Sequence, residues 1–236
     1  MNLDSMKTIL ETDTEFICDI QIPCFQMLSH EEIELVRMSK TQVLFRKGDN
    51  LTKQGAFASY VLFVITGLVK QYIEGSANRS FNLRIIGQGE FVGLSSVFRK
   101  NIFNYSTIAL TDCQAFLVDK TIIEKVVKQN GEFAFKMIQR YCAQNDQMFE
   151  TINNQMFKQM NGRMADILLY MNSIKIEHVD IFQLLSRKDI ADFTGISTES
   201  AVKLLKSFEK DGLITLKEKD IIVENEAKLR EISKIG

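Results

Sequence analysis

Residues 185–216 read LSRKDIADFTGISTESAVKLLKSFEKDGLITL, and this stretch decides the fold of the C-terminal part of the chain. Its centre is Gly195-Ile196-Ser197, between two short amphipathic segments. Glycine takes the left-handed conformation that ends a helix sharply, and serine is a favoured N-cap for the next helix. The stretch therefore predicts a helix-turn-helix whose second helix begins at Thr198.

Small and apolar residues fall where two crossing helices need them. With Arg187 as position 1, Ala191 is the small residue at the crossing. The predicted wedge between the helices is Ile190, Ile196, Ala201 and Leu204. Residues 211–224 then predict a β-hairpin that turns near Lys219-Asp220, which forms a wing. A helical pair with a purely structural role is the alternative interpretation.

The second helix of such a motif presents the exposed residues of its first turns to base edges in the major groove. Here these residues are Ser197, Thr198, Glu199, Ser200, Val202 and Lys203. Phosphates repel a carboxylate, so we expect Glu199 to accept a hydrogen bond from a cytosine amino group and Lys203 to donate to guanine or phosphate. Predicted contacts to the DNA backbone are Ser186, Arg187, Lys188, Lys206, Lys217 and Lys219. For each lysine, an ordinary solvated surface is the alternative.

The overall charge does not by itself indicate nucleic acid. The 236 residues have a net charge of −1, and residues 160–236 hold 12 Lys and Arg against 13 Asp and Glu. Positive charge must therefore cluster in space if this part binds DNA. The longest apolar run, 60–65, is too short to cross a bilayer, and the N-terminus has no apolar signal core, so we expect a cytoplasmic protein. Two histidines and no catalytic or metal-ligand cluster predict that it is not an enzyme.

A region of short strands is predicted between residues 41 and 118. Seven of the twelve glycines lie there and separate short β-branched and aromatic runs. These runs are 43–45, 60–66, 68–73, 81–86, 106–110 and 113–118. Such spacing predicts an all-β sandwich or barrel. Residues 1–40 are predicted to be helical, with Ser29 and Glu32 forming a capping box.

A long helix with an apolar seam is predicted from about residue 131. The seam follows heptad spacing at Ile138, Tyr141, Asn145, Met148, Ile152 and Gln155, with Cys142, Phe149 and Met156 beside it. This pattern is typical of a helix that pairs with a second copy, and Asn145 would fix the register. An amphipathic helix lying on its own domain is the alternative. Gly162 is expected where this helix gives way to a shorter one reaching about Ser173, and residues 174–182 are expected to be extended or loop-like.

At this point the chain resembles the family of the cyclic-AMP receptor protein and the fumarate–nitrate reduction regulator. The resemblance runs along nearly the whole chain, through the segments 47–49, 64–70, 87–93, Gly162-Arg163 and 195–209. It implies an α+β fold: a β-roll (jelly-roll) sensor with N-terminal helices at 1–130, a dimerisation helix at 131–161 and a winged helix-turn-helix at 162–236. It also implies a bacterial homodimer that binds palindromic double-stranded DNA and acts with RNA polymerase. Its DNA binding is either controlled by an unidentified effector or constitutive.

The chain departs from this family at the ligand positions. Cyclic-nucleotide members have a glutamate after the Phe-x-Gly turn and an arginine some ten residues later, whereas this chain has Leu94 and the segment 103–106. Met148 and Phe149 replace the polar residues that touch the purine. The predicted effector pocket comprises Gly93, Leu94, Ser95, Ser96, Tyr105, Ser106, Met148 and Phe149. It either accepts an uncharged ligand or is a filled core, and the filled core is favoured.

No cofactor is predicted. A phosphate without a counter-charge is expensive to bury, which disfavours cyclic AMP. Cys18 and Cys24 reproduce one interval of the oxygen-sensing branch, but no upstream cysteine exists and Cys113 fits only loosely, which disfavours an iron–sulfur cluster. The positions of the two histidines disfavour haem. The alternative to a DNA-binding regulator is a β-roll module that senses an apolar ligand or a protein partner without binding DNA.

Overall fold

The computed structural model describes residues 7–8, 27–77, 79–98, 101–174 and 180–235. The chain divides into an N-terminal unit of residues 1–79 and 84–145, and a C-terminal unit of residues 80–83 and 146–236. The division between 145 and 146 falls inside one long helix. The predicted domain boundaries after residues 130 and 161 stay predictions.

The N-terminal unit is built from short antiparallel strands and flanking helices. The elements up to residue 129, in chain order, are β1 (Lys7–Thr8), α1 (His30–Ser39), β2 (Lys40–Phe45), β3 (Asn50–Thr52), β4 (Tyr60–Thr66), β5 (Val69–Glu74), β6 (Ser80–Ile86), β7 (Phe91–Val92), α2 (Ser95–Phe98), β8 (Ser106–Ala109), β9 (Cys113–Asp119) and α3 (Lys120–Gln129). Residues 80–83 of β6 belong to the C-terminal unit. One sheet has the order β1-β2-β9-β4-β7 and the other has the order β3-β8-β5-β6. The predicted mixed fold with an N-terminal β domain is confirmed.

Strand β4 shows why its sheet is covered on both faces, by the second sheet on one side and by helices on the other. Its apolar side chains alternate between faces, and five consecutive residues, 61–65, are buried. Leu62 and Val64 pack into a core shared with residues of the second sheet, such as Val69 and Ile86. Val61, Phe63 and Ile65 instead pack against helices, in the core that contains Ile123, Phe133 and Met137. A continuous apolar run is what a strand covered on both sides requires.

The six predicted strands coincide with β2, β4, β5, β6, β8 and β9 to within three residues at each end. The two-residue and three-residue strands β1, β3 and β7 escaped prediction because they are too short to show alternation. The prediction of helix throughout 1–40 is wrong at Lys7–Thr8, which pairs with β2. The predicted capping box is present, since Ser29 Oγ accepts from the Glu32 amide at 3.3 Å and a Glu32 carboxylate oxygen accepts from the Ser29 amide at 2.8 Å.

The remaining elements are mostly helical. They are α4 (Gly131–Phe157), α5 (Met160–Ser173), α6 (Ile181–Leu184), α7 (Arg187–Thr194), α8 (Thr198–Lys210), β10 (Ile214–Lys217), β11 (Asp220–Val223) and α9 (Glu226–Ile235). Gly162 lies buried inside α5, and the break between α4 and α5 falls at Lys158-Gln159 instead. The expectation of extended or loop-like chain at 174–182 is wrong for Ile181 and Phe182, because Asp180 caps α6 there and both side chains are buried. Among the described helices, none is both long and apolar enough to cross a bilayer.

Candidate nucleic-acid interface

The turn between α7 and α8 has the conformation that the sequence predicts. Gly195 has φ 69° and ψ 38°, in the left-handed region, and ends α7. A Cβ atom at this position would lie 2.4 Å from Oε1 of Gln155, so the close approach as well as the backbone angle demands glycine. The Ile196 amide donates to the Ala191 carbonyl at 3.1 Å, which closes the last turn of α7.

Helix α8 begins at a serine cap and packs through a regular stripe. Ser197 Oγ accepts from the Ser200 amide at 3.1 Å. Ala201, Leu205 and Phe208 form the buried stripe of α8, while Ile190 and Ala191 of α7 are fully buried. Leu204, which the sequence assigned to the wedge, is half-buried, because the spacing of 201, 205 and 208 turns Leu205 toward the core instead.

The opposite face of α8 carries the residues predicted to read bases. Thr198, Glu199 and Lys203 are exposed, and Ser200 and Val202 are half-buried. Glu199 and Lys203 form an ion pair at 2.7 Å in which both side chains are about three-quarters exposed (78% and 75%). Exposed pairs of this spacing contribute only about 0.3–0.5 kcal/mol, so both charges can separate to meet a ligand.

The residues predicted to contact the DNA backbone differ in their exposure and in their hydrogen-bond and ion-pair partners. Lys206, Lys217 and Lys219 are exposed. Ser186 Oγ accepts from the Asp189 amide at 3.0 Å as the cap of α7. Lys188 is also exposed, and it pairs with Asp192 at 2.5 Å. Whether these side chains contact DNA stays a prediction.

Arg187 is the exception, because its guanidinium is turned toward the wing. The side chain is half-buried, and Nη2 donates to the Glu218 carbonyl at 3.1 Å. Its Nη1 is buried and has no hydrogen-bond partner among the described residues. Burial lowers the pKa of Arg187, and the nearby Asp220 carboxylate opposes that effect. This position favours support of the wing over contact with a phosphate.

The wing itself is the antiparallel pair β10–β11. Lys217 pairs with Asp220, so Glu218 and Lys219 form the turn, one residue earlier than predicted. Glu218 has φ 51°, a left-handed conformation that is strained for a residue with a side chain. Gln183 donates to the Asp220 carboxylate at 3.3 Å, which ties the wing to α6. The wing tip is therefore held from two sides, by Gln183 and by Arg187.

The predicted seam on α4 is uncovered in the single chain. Ile138, Tyr141, Met148 and Ile152 are all exposed, Asn145 is half-buried, and the flanking Phe149 and Met156 are about 70% exposed (68% and 70%). Within α4, burial is restricted to Phe133 and Met137 near the start of the helix. A contiguous exposed apolar stripe of this kind marks an interaction surface. The alternative of a helix packed on its own domain does not fit these residues.

Three of the predicted effector residues are hydrogen-bonded to each other, and Ser106 is hydrogen-bonded to other neighbours. The Gly93 amide donates to the Tyr105 hydroxyl at 2.8 Å, and Ser96 Oγ donates to the Gly93 carbonyl at 2.7 Å. A Cβ atom at Gly93 would lie 2.6 Å from the Phe103 ring. Ser106 Oγ donates to the Glu74 carboxylate at 2.5 Å and accepts from a backbone amide. Leu94 is buried, Ser95 is half-buried, and Met148 and Phe149 are exposed on α4.

Two cations that the sequence did not single out belong to this part of the N-terminal unit. Arg84 donates to Gln71 at 2.9 Å and pairs with the Glu90 carboxylate. Arg140 of α4 donates to the Gly89 carbonyl at 2.7 Å. Arg140 lies 51 residues from Gly89, so no local sequence pattern identifies that contact, whereas Glu90 lies only six residues after Arg84.

The candidate cofactor residues are mostly isolated. The described part of the chain contains no group of three His, Cys, Asp or Glu side chains that could hold a metal. Cys113 is buried and Cys142 is exposed. Burial raises the pKa of the Cys113 thiol, which disfavours the thiolate. Cys18, Cys24, Arg99, Lys100 and His178 lie outside the described residues.

Comparisons with known proteins find the two predicted kinds of domain. Residues 42–130 match the family model of the cyclic nucleotide-binding domain, and residues 162–232 match that of the Crp-like helix-turn-helix domain. The anaerobic regulatory protein of Bacillus subtilis is 23% identical over 202 residues, which cover 84% of this chain and 85% of that protein. The cAMP-activated global transcriptional regulator CRP of Salmonella typhimurium is 23% identical over 177 residues, which cover 73% of this chain and 84% of that protein. A solved structure from Eubacterium rectale, assigned to the Crp/Fnr family of transcriptional regulators, aligns with a TM-score of 0.74 and 19% identity over 90% of this chain and 98% of that one.

Proposed function

The chain belongs to the CRP/FNR family of helix-turn-helix transcription regulators, and from that membership we propose that it binds a palindromic promoter site as a homodimer. The observation that carries the proposal is the first turn of α8. A capped helix N-terminus leaves Thr198, Glu199 and Lys203 exposed on one face, where a major groove can receive them. We expect the exposed wing lysines, Lys217 and Lys219, to contact the flanking phosphates.

Dimerisation follows from the uncovered stripe on α4. Pairing the stripes of two copies removes several exposed apolar side chains from water at once, each contributing about 1.5–3 kcal/mol when fully buried. Asn145 at the centre of the stripe favours one register, because its amide needs a polar partner across the seam. A symmetric pair presents two copies of α8 to two half-sites, which accounts for the palindromic target.

The remaining partners follow from this role. A regulator bound at a promoter acts in the cytoplasm on RNA polymerase rather than as an enzyme.

Cyclic AMP does not fit the residues of the N-terminal unit. A bound phosphate needs an unoccupied amide and a counter-charge. The Gly93 amide already donates to Tyr105, and the buried Leu94 stands where a ribose-binding carboxylate is expected. The charge of Arg84 is compensated by Glu90. We therefore propose that a cyclic nucleotide is not the effector and that the tyrosine and phenylalanine side chains fill this part of the unit. From the cysteine spacing and the histidine positions in the sequence, we propose that neither an iron–sulfur cluster nor haem is the effector.

The test is selection of bound DNA from a randomised pool, followed by fluorescence anisotropy on the selected sequence. We expect a palindromic consensus that binds at least about 1,000-fold more tightly than unrelated DNA. The double variant Glu199→Ala with Lys203→Ala should lose most of that preference. The matched control is Glu226→Ala with Arg230→Ala, which removes a similar exposed pair from α9. Equal weak binding of all DNA by the unaltered protein would refute the proposal.

A further inference from the structure

The ends of three helices in the C-terminal unit meet around the side chain of Gln155. Gln155 lies in the last turn of α4, and its Nε2 donates to the Thr194 carbonyl at the end of α7 at 3.3 Å. Its Oε1 accepts from Nη1 of Arg163, in the first turns of α5, at 2.5 Å. The heptad pattern placed Gln155 on the dimer seam, but these contacts turn it toward the helix-turn-helix. We call this set of residues, with Gly195, the Gln155 junction.

The contacts fix the orientation of the amide. The guanidinium of Arg163 has only donors, so the oxygen of Gln155 must face it and the NH2 group must face Thr194. The Arg163 Nε atom is buried without a hydrogen-bond partner among the described residues, and Nη1 of the same guanidinium donates to Oε1 of Gln155 and, at 3.5 Å, to the Gln155 carbonyl. The positive charge also lies near the C-terminal end of α7, where the helix dipole favours a cation. The hydrogen bond from Arg163 is charge-assisted and therefore among the stronger ones in the unit.

The junction also touches the turn that leads into α8. A Cβ atom at Gly195 would lie 2.4 Å from Oε1 of Gln155, so the amide packs directly on the backbone of the turn. Helix α8 begins at Thr198, three residues after Gly195. A shift of the last turn of α4 therefore displaces the start of α8, unless the two hydrogen bonds break. Ile152 of the seam lies on α4 only three residues before Gln155.

We infer that Gln155 is a positioning residue that fixes α8 relative to the dimer seam and thereby sets the distance between the two recognition helices of the dimer. The inference rests on the proposed function, because it concerns binding of a palindrome by two copies. Half-sites of such a palindrome lie about one helical repeat, or ~34 Å, apart. Once one helix-turn-helix of the dimer is bound, a rigid link between α8 and α4 gives the other a high effective concentration at one half-site spacing only. A loose link lowers that effective concentration and allows binding at other spacings.

The experiment compares four proteins on a set of DNA probes derived from the selected sequence. The probes are one half-site and palindromes with the native spacing or with one or two base pairs added or removed. The proteins are the unaltered chain and the three variants Gln155→Ala, Gln155→Met and the control Gln147→Ala. Methionine keeps the volume and helix propensity of glutamine without its hydrogen bonds. Gln147 is an exposed residue two turns earlier on α4, so its loss leaves the junction intact.

We expect both Gln155 variants to bind the half-site within about twofold of the unaltered protein. Their affinity for the natively spaced palindrome should fall by about tenfold or more, and their discrimination between spacings should shrink to about threefold. Sedimentation should show the same dimer fraction for all four proteins, and the Gln147 variant should retain the full spacing preference. If alanine prevents folding, the methionine variant carries the test.

Two results would overturn the inference. One is a spacing profile in both Gln155 variants that matches the unaltered protein. The other is an equal loss on the half-site and on the palindrome, which would indicate a merely structural role. Failure of the proposed function gives a different result, since the unaltered protein would then show no preference for a palindrome over a half-site.

Discussion

Replacing Glu199 by glutamine separates base recognition from simple charge effects. Glu199 lies in the first turn of α8 and is mostly exposed, and its only described ion-pair partner is Lys203 at 2.7 Å. Glutamine keeps the length of the side chain but removes the negative charge. It also replaces one of the two acceptor oxygens by an NH2 donor and leaves a neutral acceptor, so a hydrogen bond from a cytosine amino group loses its charge assistance.

The structure allows the size of each effect to be worked out. The exposed pair with Lys203 and the position near the helix N-terminus together stabilise the fold by about 1 kcal/mol or less. Complete loss of a contact that distinguishes one base pair costs about 1–3 kcal/mol, which is about a 5- to 150-fold loss of affinity, so the weakened contact of glutamine should lower the affinity for the specific site by a factor within that limit. Binding to unrelated DNA should become tighter, because one carboxylate facing the phosphates is gone.

The assay measures the affinity for the selected palindrome and for an unrelated duplex of the same length at several salt concentrations, together with the urea unfolding curve. We expect the variant to bind the selected palindrome more weakly and the unrelated duplex more tightly than the unaltered protein does. The free energy of unfolding should be nearly unchanged. The control Glu226→Gln removes a comparable first-turn carboxylate from α9, where it pairs with Arg230 at 2.5 Å. It should leave both affinities unchanged.

Tighter binding of Glu199→Gln to both duplexes by the same factor would refute the reasoning. The carboxylate would then act only by repulsion, and the specificity would have to come from other residues. A fall in stability well beyond about 1 kcal/mol would also contradict it, because the exposed pair would then contribute more than such pairs do.

Three further predictions concern the seam on α4, the Tyr105 side chain in the N-terminal unit and the wing. Ile152→Asp should raise the dimer dissociation constant by at least about 100-fold in sedimentation, since each lost isoleucine contributes about 1.5–3 kcal/mol of burial, whereas Asn153→Asp on another face should have little effect. Burial raises the pKa of Tyr105, so its contribution to stability is complete below pH ~10 and is lost as the pH rises above it. Tyr105→Phe should lower the unfolding free energy by about 1–3 kcal/mol at neutral pH, because the Gly93 amide loses its acceptor, and should flatten this alkaline loss; an unchanged alkaline slope would contradict the assignment. Arg187→Met should weaken DNA binding without changing its salt slope, whereas a loss of about 0.9 from the slope would show that Arg187 neutralises a phosphate.

Elements with a strong local pattern were predictable from the sequence. Six strands, the cap of α1 and the helix-turn-helix are each specified by residues that are neighbours along the chain, such as Gly195 and Ser197. The short strands β1, β3 and β7 were not predicted, because two or three residues carry no period and only a partner strand defines them. The prediction of a break at Gly162 is wrong, because a glycine is the only local signal for a hinge here, whereas Gly162 is buried within α5 and the break falls at Lys158-Gln159.

The candidate interface also contains both features that local sequence specifies and features that only distant contacts specify. The sequence by itself determined which residues α8 exposes, because the helical period and the caps at Gly195 and Ser197 are local. Only the tertiary structure decided where the side chains of Gln155 and Arg187 point. Their partners, Thr194 and Glu218, lie about 30 to 40 residues away along the chain. Hydrogen bonds between distant segments form only after the chain has folded, so no periodicity in the sequence records them.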